Sequence, residues 1–177
     1  VVRSALPGYG IEDALLWIPS VSIALPPADL WDPTSGIYHN SSQVWTRAAS
    51  VELIEPGGGF GITAEVRIHG YTSRQHDFTP KHSFRIVFKG AYGPTKLRYP
   101  LFPDSDVREF DQIVLRGMST DSWPVMDGWD GPEPGTKRWF REKSLYLREQ
   151  WMKDAQIDIG QLSCHGFFVH VFLDGLY

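Results

Sequence analysis

The chain has 177 residues, a formal net charge of −4, 42% hydrophobic and 21% charged residues. That length and balance fit one globular domain with a buried core and exclude general disorder. The mild acidity, with no basic run denser than Lys137, Arg138 and Arg141, excludes a surface built to hold nucleic acid.

Residues 14–18 read as one helical turn or an extended lead-in, stopped by Pro19. Residues 21–25 alternate apolar and polar and predict a strand, closed by Pro26-Pro27. Residues 29–36 are dense in turn formers, and residues 49–54 alternate as a second strand. Pro56-Gly57-Gly58-Gly59 predicts a hairpin turn, because glycine permits positive φ at little steric cost. Residues 61–70 give the clearest strand. Ile62, Ala64, Val66 and Ile68 fall on one face, and Thr63, Glu65, Arg67 and His69 on the other. Further strands are expected over 84–89, 112–116 and 167–173.

Residues 124–135, rich in Asp, Gly and Pro, predict a mobile loop. Residues 139–159 predict one long helix, with Leu145, the Arg148 stem, Met152, Ala155 and Ile159 at helical spacing and Trp151 widening a core-facing stripe. On that reading Trp151→Ala costs ~3–5 kcal/mol. Thr136 is the expected N-cap and Gly160 the stop. Cys164, the single cysteine, excludes an internal disulfide and is expected to be a buried, inert thiol. Asp174-Gly175 is a hairpin-turn pair, and its partner strand is expected beyond Tyr177.

The fold class expected is α+β: a twisted, mainly antiparallel sheet with one long helix packed on it. No stretch reaches the ~18 apolar residues of a membrane span, and residues 1–11 lack the basic start and apolar run of a signal peptide. Aromatic residues make up 14% of the chain, with seven Trp, which suits half-buried sheets and ligand grooves.

Several segments, in order along the chain, resemble the bacterial CotH kinase family. They are Val21-Ser22-Ile23 with Leu30-Trp31-Asp32-Pro33-Thr34-Ser35-Gly36-Ile37-Tyr38; Arg47-Ala48-Ala49-Ser50-Val51-Glu52; Arg67-Ile68-His69-Gly70 with Ser73-Arg74; and Pro80-Lys81-His82-Ser83-Phe84-Arg85. Tyr99-Pro100-Leu101-Phe102, Phe110-Asp111-Gln112-Ile113-Val114-Leu115-Arg116 and Asp174-Gly175-Leu176-Tyr177 complete the set. The resemblance implies that residues 1–177 form the N-terminal part of an atypical kinase domain, with a fold like a kinase small lobe. It implies ATP and Mg²⁺ as cofactors, a protein hydroxyl as acceptor, and an extracellular or cell-envelope setting in a bacterium. The acidic residues for Mg²⁺ and acceptor activation are expected downstream of Tyr177.

The same resemblance makes Lys81 the candidate for the phosphate-binding lysine of a small lobe. Glu142 or Glu149 is then the helix carboxylate that orients it; seven residues apart, they share a face of the predicted helix. Arg67, Arg74 and Arg85 are the next cationic candidates. Arg67 and His69 share a strand face, and Arg85, four residues after Lys81, is expected to share the face of Lys81. The stretch 70–74 suits a short loop over phosphate, although neither a Walker loop nor a Gly-x-Gly-x-x-Gly loop is present. The structural alternatives are a solvated strand-edge Lys81 and arginines paired with Glu52, Glu65 or an Asp.

His69, His76 and His82 stand seven and six residues apart, which fits no compact metal-ligand pattern, and no metal site is expected. His165 and His170 are expected as satisfied strand histidines. Asp104, Asp106 and Asp111 lack the rhythm of a calcium loop, and no Gly-x-Ser-x-Gly elbow occurs. A function of another class remains open: a non-catalytic β-rich binding module whose tryptophans meet protein or carbohydrate.

Overall fold

A computed structural model describes residues 8–74, 79–124, 133–134 and 136–177, without the side chains of Thr72 and Thr120. Its regular elements are α1 (Ile11–Trp17), β1 (Ser20–Ala24), α2 (Pro27–Trp31), β2 (Arg47–Glu55) and β3 (Gly58–His69). They continue with β4 (Ser83–Val87), β5 (Leu97–Arg98), β6 (Glu109–Phe110), β7 (Gln112–Leu115), α3 (Lys137–Lys143), α4 (Arg148–Asp158) and β8 (His170–Leu173). Pro19 ends α1 by forcing Ile18 into extended backbone. The turn expected after β1 contains a short helix, because Pro27 sits at its first position, where a missing N–H costs nothing.

The main sheet runs β7-β4-β3-β2-β1-β8, with β5 and β6 as a separate ribbon. Every pairing in it is antiparallel except β1 with β8, which run parallel. The two edge strands β7 and β8 line one groove, so the sheet is curled. The architecture is α+β, with a curled, mostly antiparallel sheet and few helices.

Register places one apolar set on the inside of the curl. Ile23 stands opposite Val51, Val51 opposite Ile62, Val66 opposite Ile86, and Ile86 opposite Ile113. Ile23, Val51, Val66 and Ile86 are completely buried, each stabilising the fold by roughly 1.5–3 kcal/mol relative to exposure. Leu30 and Ile37, on and after α2, are sealed into the same core. The β2–β3 hairpin turns at Pro56-Gly57, pairing Glu55 with Gly58. Gly59 is required beyond it: its φ is +142°, and a Cβ there would lie 1.9 Å from the Leu53 carbonyl oxygen.

The single long helix is not observed. Residues 139–159 contain a break: Ser144 is extended and Tyr146 takes φ +59°. The cause is a tertiary contact. The buried Asp121 carboxylate accepts from Leu145 N at 3.1 Å, from Arg148 N at 3.3 Å and from Arg148 Nη1 at 2.7 Å. It therefore satisfies amides that a continuous helix would have bonded internally, and it caps α4 from another part of the chain. Trp123 secures the same junction, its N donating to Tyr146 Oη and its Nε1 to Ser144 O. The expected ends hold: the Thr136 side chain accepts from Trp139 N at 3.2 Å, and Gly160 follows α4 with φ +77°.

The apolar stripe expected on this helix faces outward, since neither α3 nor α4 buries a residue. Trp151 is 71% exposed. Cys164 is exposed as well, not buried, because residues 161–169 cross the surface without regular structure. Of the loop over 124–135, residues 125–132 and 135 lie outside the described residues.

Two outcomes follow, both readable by urea unfolding. Asp121→Ala strands a half-buried guanidinium and two amides and is expected to cost about 2–3 kcal/mol. Trp151→Ala is expected to change stability by less than about 1 kcal/mol, as exposed substitutions do.

Candidate functional site: a cationic groove and an arginine face

Lys81 stands two residues before β4 rather than within it. Its segment is fixed on both sides. Tyr38 Oη donates to Pro80 O at 2.6 Å. Across from it, Gly117 passes so close that a Cβ there would lie 2.8 Å from Lys81 O, an approach that glycine alone permits. Gly117 N also donates to Ser83 Oγ at 2.9 Å. The Lys81 ammonium lies 4.8 Å from the centroid of the Tyr146 ring, within cation–π reach. Desolvation against this wall holds its pKa below the ordinary lysine value of 10.5.

Across the groove, α4 presents Glu149 and Lys153. Glu149 accepts from Arg116 Nη2 and from Lys153 Nζ, each at 2.7 Å. Burial alone would raise the Glu149 carboxyl, but the Lys153 hydrogen bond and the Arg116 charge outweigh it and hold the group below its ordinary value. Glu142 lies elsewhere, on the exposed surface of α3, paired with Arg138 at 2.8 Å. The shared face expected for the two glutamates requires a continuous helix, which the break removes. Among the described residues no carboxylate lies within ion-pair distance of Lys81.

The groove encloses about 420 Å³, with Lys81, Arg116, Tyr146, Glu149, Lys153 and Tyr177 on its walls. A second compartment of about 310 Å³ adjoins it, lined by Trp31, Tyr38, Phe84, Leu173 and Leu176. Lys81, Arg116 and Tyr177 line both. Three cations therefore face one carboxylate in the first compartment, and aromatic and aliphatic rims dominate the second. Glu149 is the only carboxylate on the groove wall among the described residues, and both its oxygens already accept from cations. These residues do not form a Mg²⁺ site.

Arg67, Arg74 and Arg85 converge elsewhere. Arg67 and Arg85 are direct cross-strand partners in β3 and β4. Their neighbours Val66, Ile68, Phe84 and Ile86 face the core, so both arginines lie on the outer face of the sheet. Arg85 thus does not share the side of Lys81, because Lys81 precedes the strand and turns into the groove with Phe84 and Leu115. Arg74 ends a 3-10 turn (Thr72–Arg74) that follows Gly70, and its carbonyl accepts from Ser41 Oγ. The ion pairs expected with Glu52 or Glu65 do not form; Glu65 is held by Lys89 at 2.8 Å.

His69 sits among these charges. Desolvation first, then Arg85, Arg116, Arg67 and Arg74, push its imidazole below the ordinary value of 6.5. Buried His82 places Nδ1 3.1 Å from Ser73 O. His165 stacks on Phe102 outside any strand, and His170 on β8 lies 3.0 Å from Tyr177 Oη through Nδ1. His76 is outside the described residues. Among the described residues no three His, Cys, Asp or Glu side chains assemble as a metal site, and no helix is long and apolar enough to cross a membrane.

Of the residues on the groove wall, the sequence singled out Lys81 and Glu149 as candidates but not Tyr146, Arg116 or Lys153. The i,i+4 spacing of Glu149 and Lys153 was the one available signal for that pair. Nothing local marked Tyr146, whose position depends on the helix break.

His69 has a pH signature. Its folded value is depressed, so the unfolded chain binds more protons there as pH falls below 6.5. The stability it contributes is present above that value and lost as pH falls through the lowered folded value. Unfolding free energies of the unmodified chain are expected to fall more steeply than those of His69→Gln between about pH 7 and about pH 5.

Comparison of the chain with protein-family models, with curated proteins and with solved structures returns no match.

Proposed function

We propose that this chain binds a nucleotide in the groove between the sheet edges and α4, as part of a CotH-like atypical kinase domain that transfers phosphate from ATP to a protein hydroxyl. The observation that carries this reading is the sharing of Lys81 and Arg116 between a cationic compartment and an aromatic one. A nucleotide has the same two-part character: a flat ring that suits an apolar, aromatic-walled compartment, and phosphates that suit converging cations.

In this reading Lys81 is the phosphate-contacting lysine, and its lowered pKa reflects a desolvated ammonium whose charge a phosphate would compensate. Glu149 serves as the helix carboxylate, acting on Arg116 and Lys153 rather than on Lys81. Glu142 has no part in it. Likeness to a kinase small lobe, and an extracellular or cell-envelope setting, belong to the same proposal.

The second reading, a non-catalytic β-rich module that contacts protein or carbohydrate, is favoured by Trp17 and Trp151, which are 78% and 71% exposed. The two readings separate on nucleotide binding. Calorimetric titration of Mg·ATP into the chain is expected to give saturable binding, weakened about tenfold or more by Lys81→Ala and unchanged by Glu142→Ala. Absence of binding, or binding indifferent to Lys81→Ala, rejects the nucleotide groove and leaves the binding module.

A further inference from the structure

The outer face of the sheet carries a charge arrangement that the groove does not use. Arg67 and Arg85 are direct cross-strand partners, a pairing in which like charges repel. Arg74 ends the turn after Gly70, and its charge acts on His69 together with theirs. None of the three forms an ion pair among the described residues. Glu65, two residues before Arg67, is committed to Lys89, and Glu149 to Arg116 and Lys153. The Nε atoms of Arg74 and Arg85 are moreover buried without a hydrogen-bond partner among the described residues. A native chain rarely leaves a buried guanidinium donor unanswered, and still more rarely two.

We propose that Arg67, Arg74, Arg85 and His69 form a binding site for a dianionic phosphate group on the outer face of the sheet, separate from the groove. Guanidinium forks match a tetrahedral oxyanion geometrically, offering paired N–H donors to its oxygens. A dianion neutralises two of the three arginine charges. It also supplies acceptors for the orphaned Nε atoms. The positive φ of Gly70, +116°, sets the entry to the turn that ends at Arg74. The depressed pKa of His69 agrees with this geometry: beyond desolvation, the imidazole senses Arg85, Arg67 and Arg74, none of them in an ion pair among the described residues, as well as Arg116, which Glu149 pairs.

The site is independent of the nucleotide reading, and its test uses different variants. The chain is unfolded thermally at constant ionic strength while chloride is exchanged for inorganic phosphate in the millimolar range. A saturable rise in Tm is expected. Arg67→Gln and Arg85→Gln are each expected to weaken the fitted phosphate affinity at least about tenfold, while keeping or raising Tm in phosphate-free buffer through relief of repulsion. Lys81→Ala leaves the phosphate response intact, so failure of the groove and failure of this site are told apart. In the unmodified chain, the His69 ring titration followed by NMR is expected to move to higher pH when phosphate is present. O-phosphoserine run in parallel distinguishes sources: a response to it as strong as to phosphate assigns an esterified group, and a response to phosphate alone assigns the free ion. A Tm response equal in the unmodified chain and both arginine variants is a general salt effect and overturns the proposal, as does a His69 titration that phosphate leaves unmoved.

Discussion

The arrangement around the groove depends on one carboxylate. Asp121 is almost fully buried, and it accepts two backbone amides and a guanidinium from residues 145–148. A sequence with good helical periodicity across 139–159 is thereby divided into two helices. The division lets Tyr146 adopt left-handed backbone and lay its ring against Lys81. It also reorients α4, so that Glu149 and Lys153 meet Arg116 at the end of β7. The contact is worth more than the few intrahelical bonds it replaces, because a buried carboxylate with charged and backbone donors is a charge-assisted cluster.

The curl of the sheet does the remaining positioning. Strands twist with a fixed hand, and a six-stranded sheet with one apolar face closes around its own side chains. Here the closure brings β7 and β8, at opposite ends of the strand order, to the two sides of a groove. The same alternation that fills the inside with Ile23, Val51, Val66 and Ile86 sends Arg67 and Arg85 outward. Cationic residues that lie close in sequence, Lys81 and Arg85, are thus delivered to opposite sides of one sheet.

Arg116 stands where the two charged regions meet. It lines the groove, it is neutralised by Glu149, and its charge still reaches His69. The groove has a resident carboxylate and a mixed wall; on the arginine face Glu65 is held by Lys89, and Arg67, Arg74 and Arg85 have no ion-pair partner among the described residues. On the two proposals above, the groove takes a ligand that brings its own apolar part, whereas the outer face takes compact negative charge.

Local pattern located the strands of the main sheet, although not the short β5–β6 ribbon, and β8 begins at His170 rather than at residue 167. Alternation at residues 21–25, 49–54 and 61–70 is a direct consequence of a half-buried sheet, and the Asp174-Gly175 turn is written in two residues that tolerate positive φ. The Thr136 cap and the Gly160 stop were legible for the same reason, since caps act over a few neighbouring bonds. What the tertiary structure alone decided was everything that joins distant segments: the parallel pairing of β1 with β8, the exposure of Trp151 and Cys164, and the helix break at 144–147. Periodicity reports which residues share a face, but not whether anything covers that face, nor whether a buried carboxylate more than twenty residues away offers the backbone a better partner. Lys81 and Glu149 could be picked from the sequence as charges. That Arg116 stands between them, with Arg67, Arg74 and Arg85 gathered beyond the sheet, follows only from how the sheet curls.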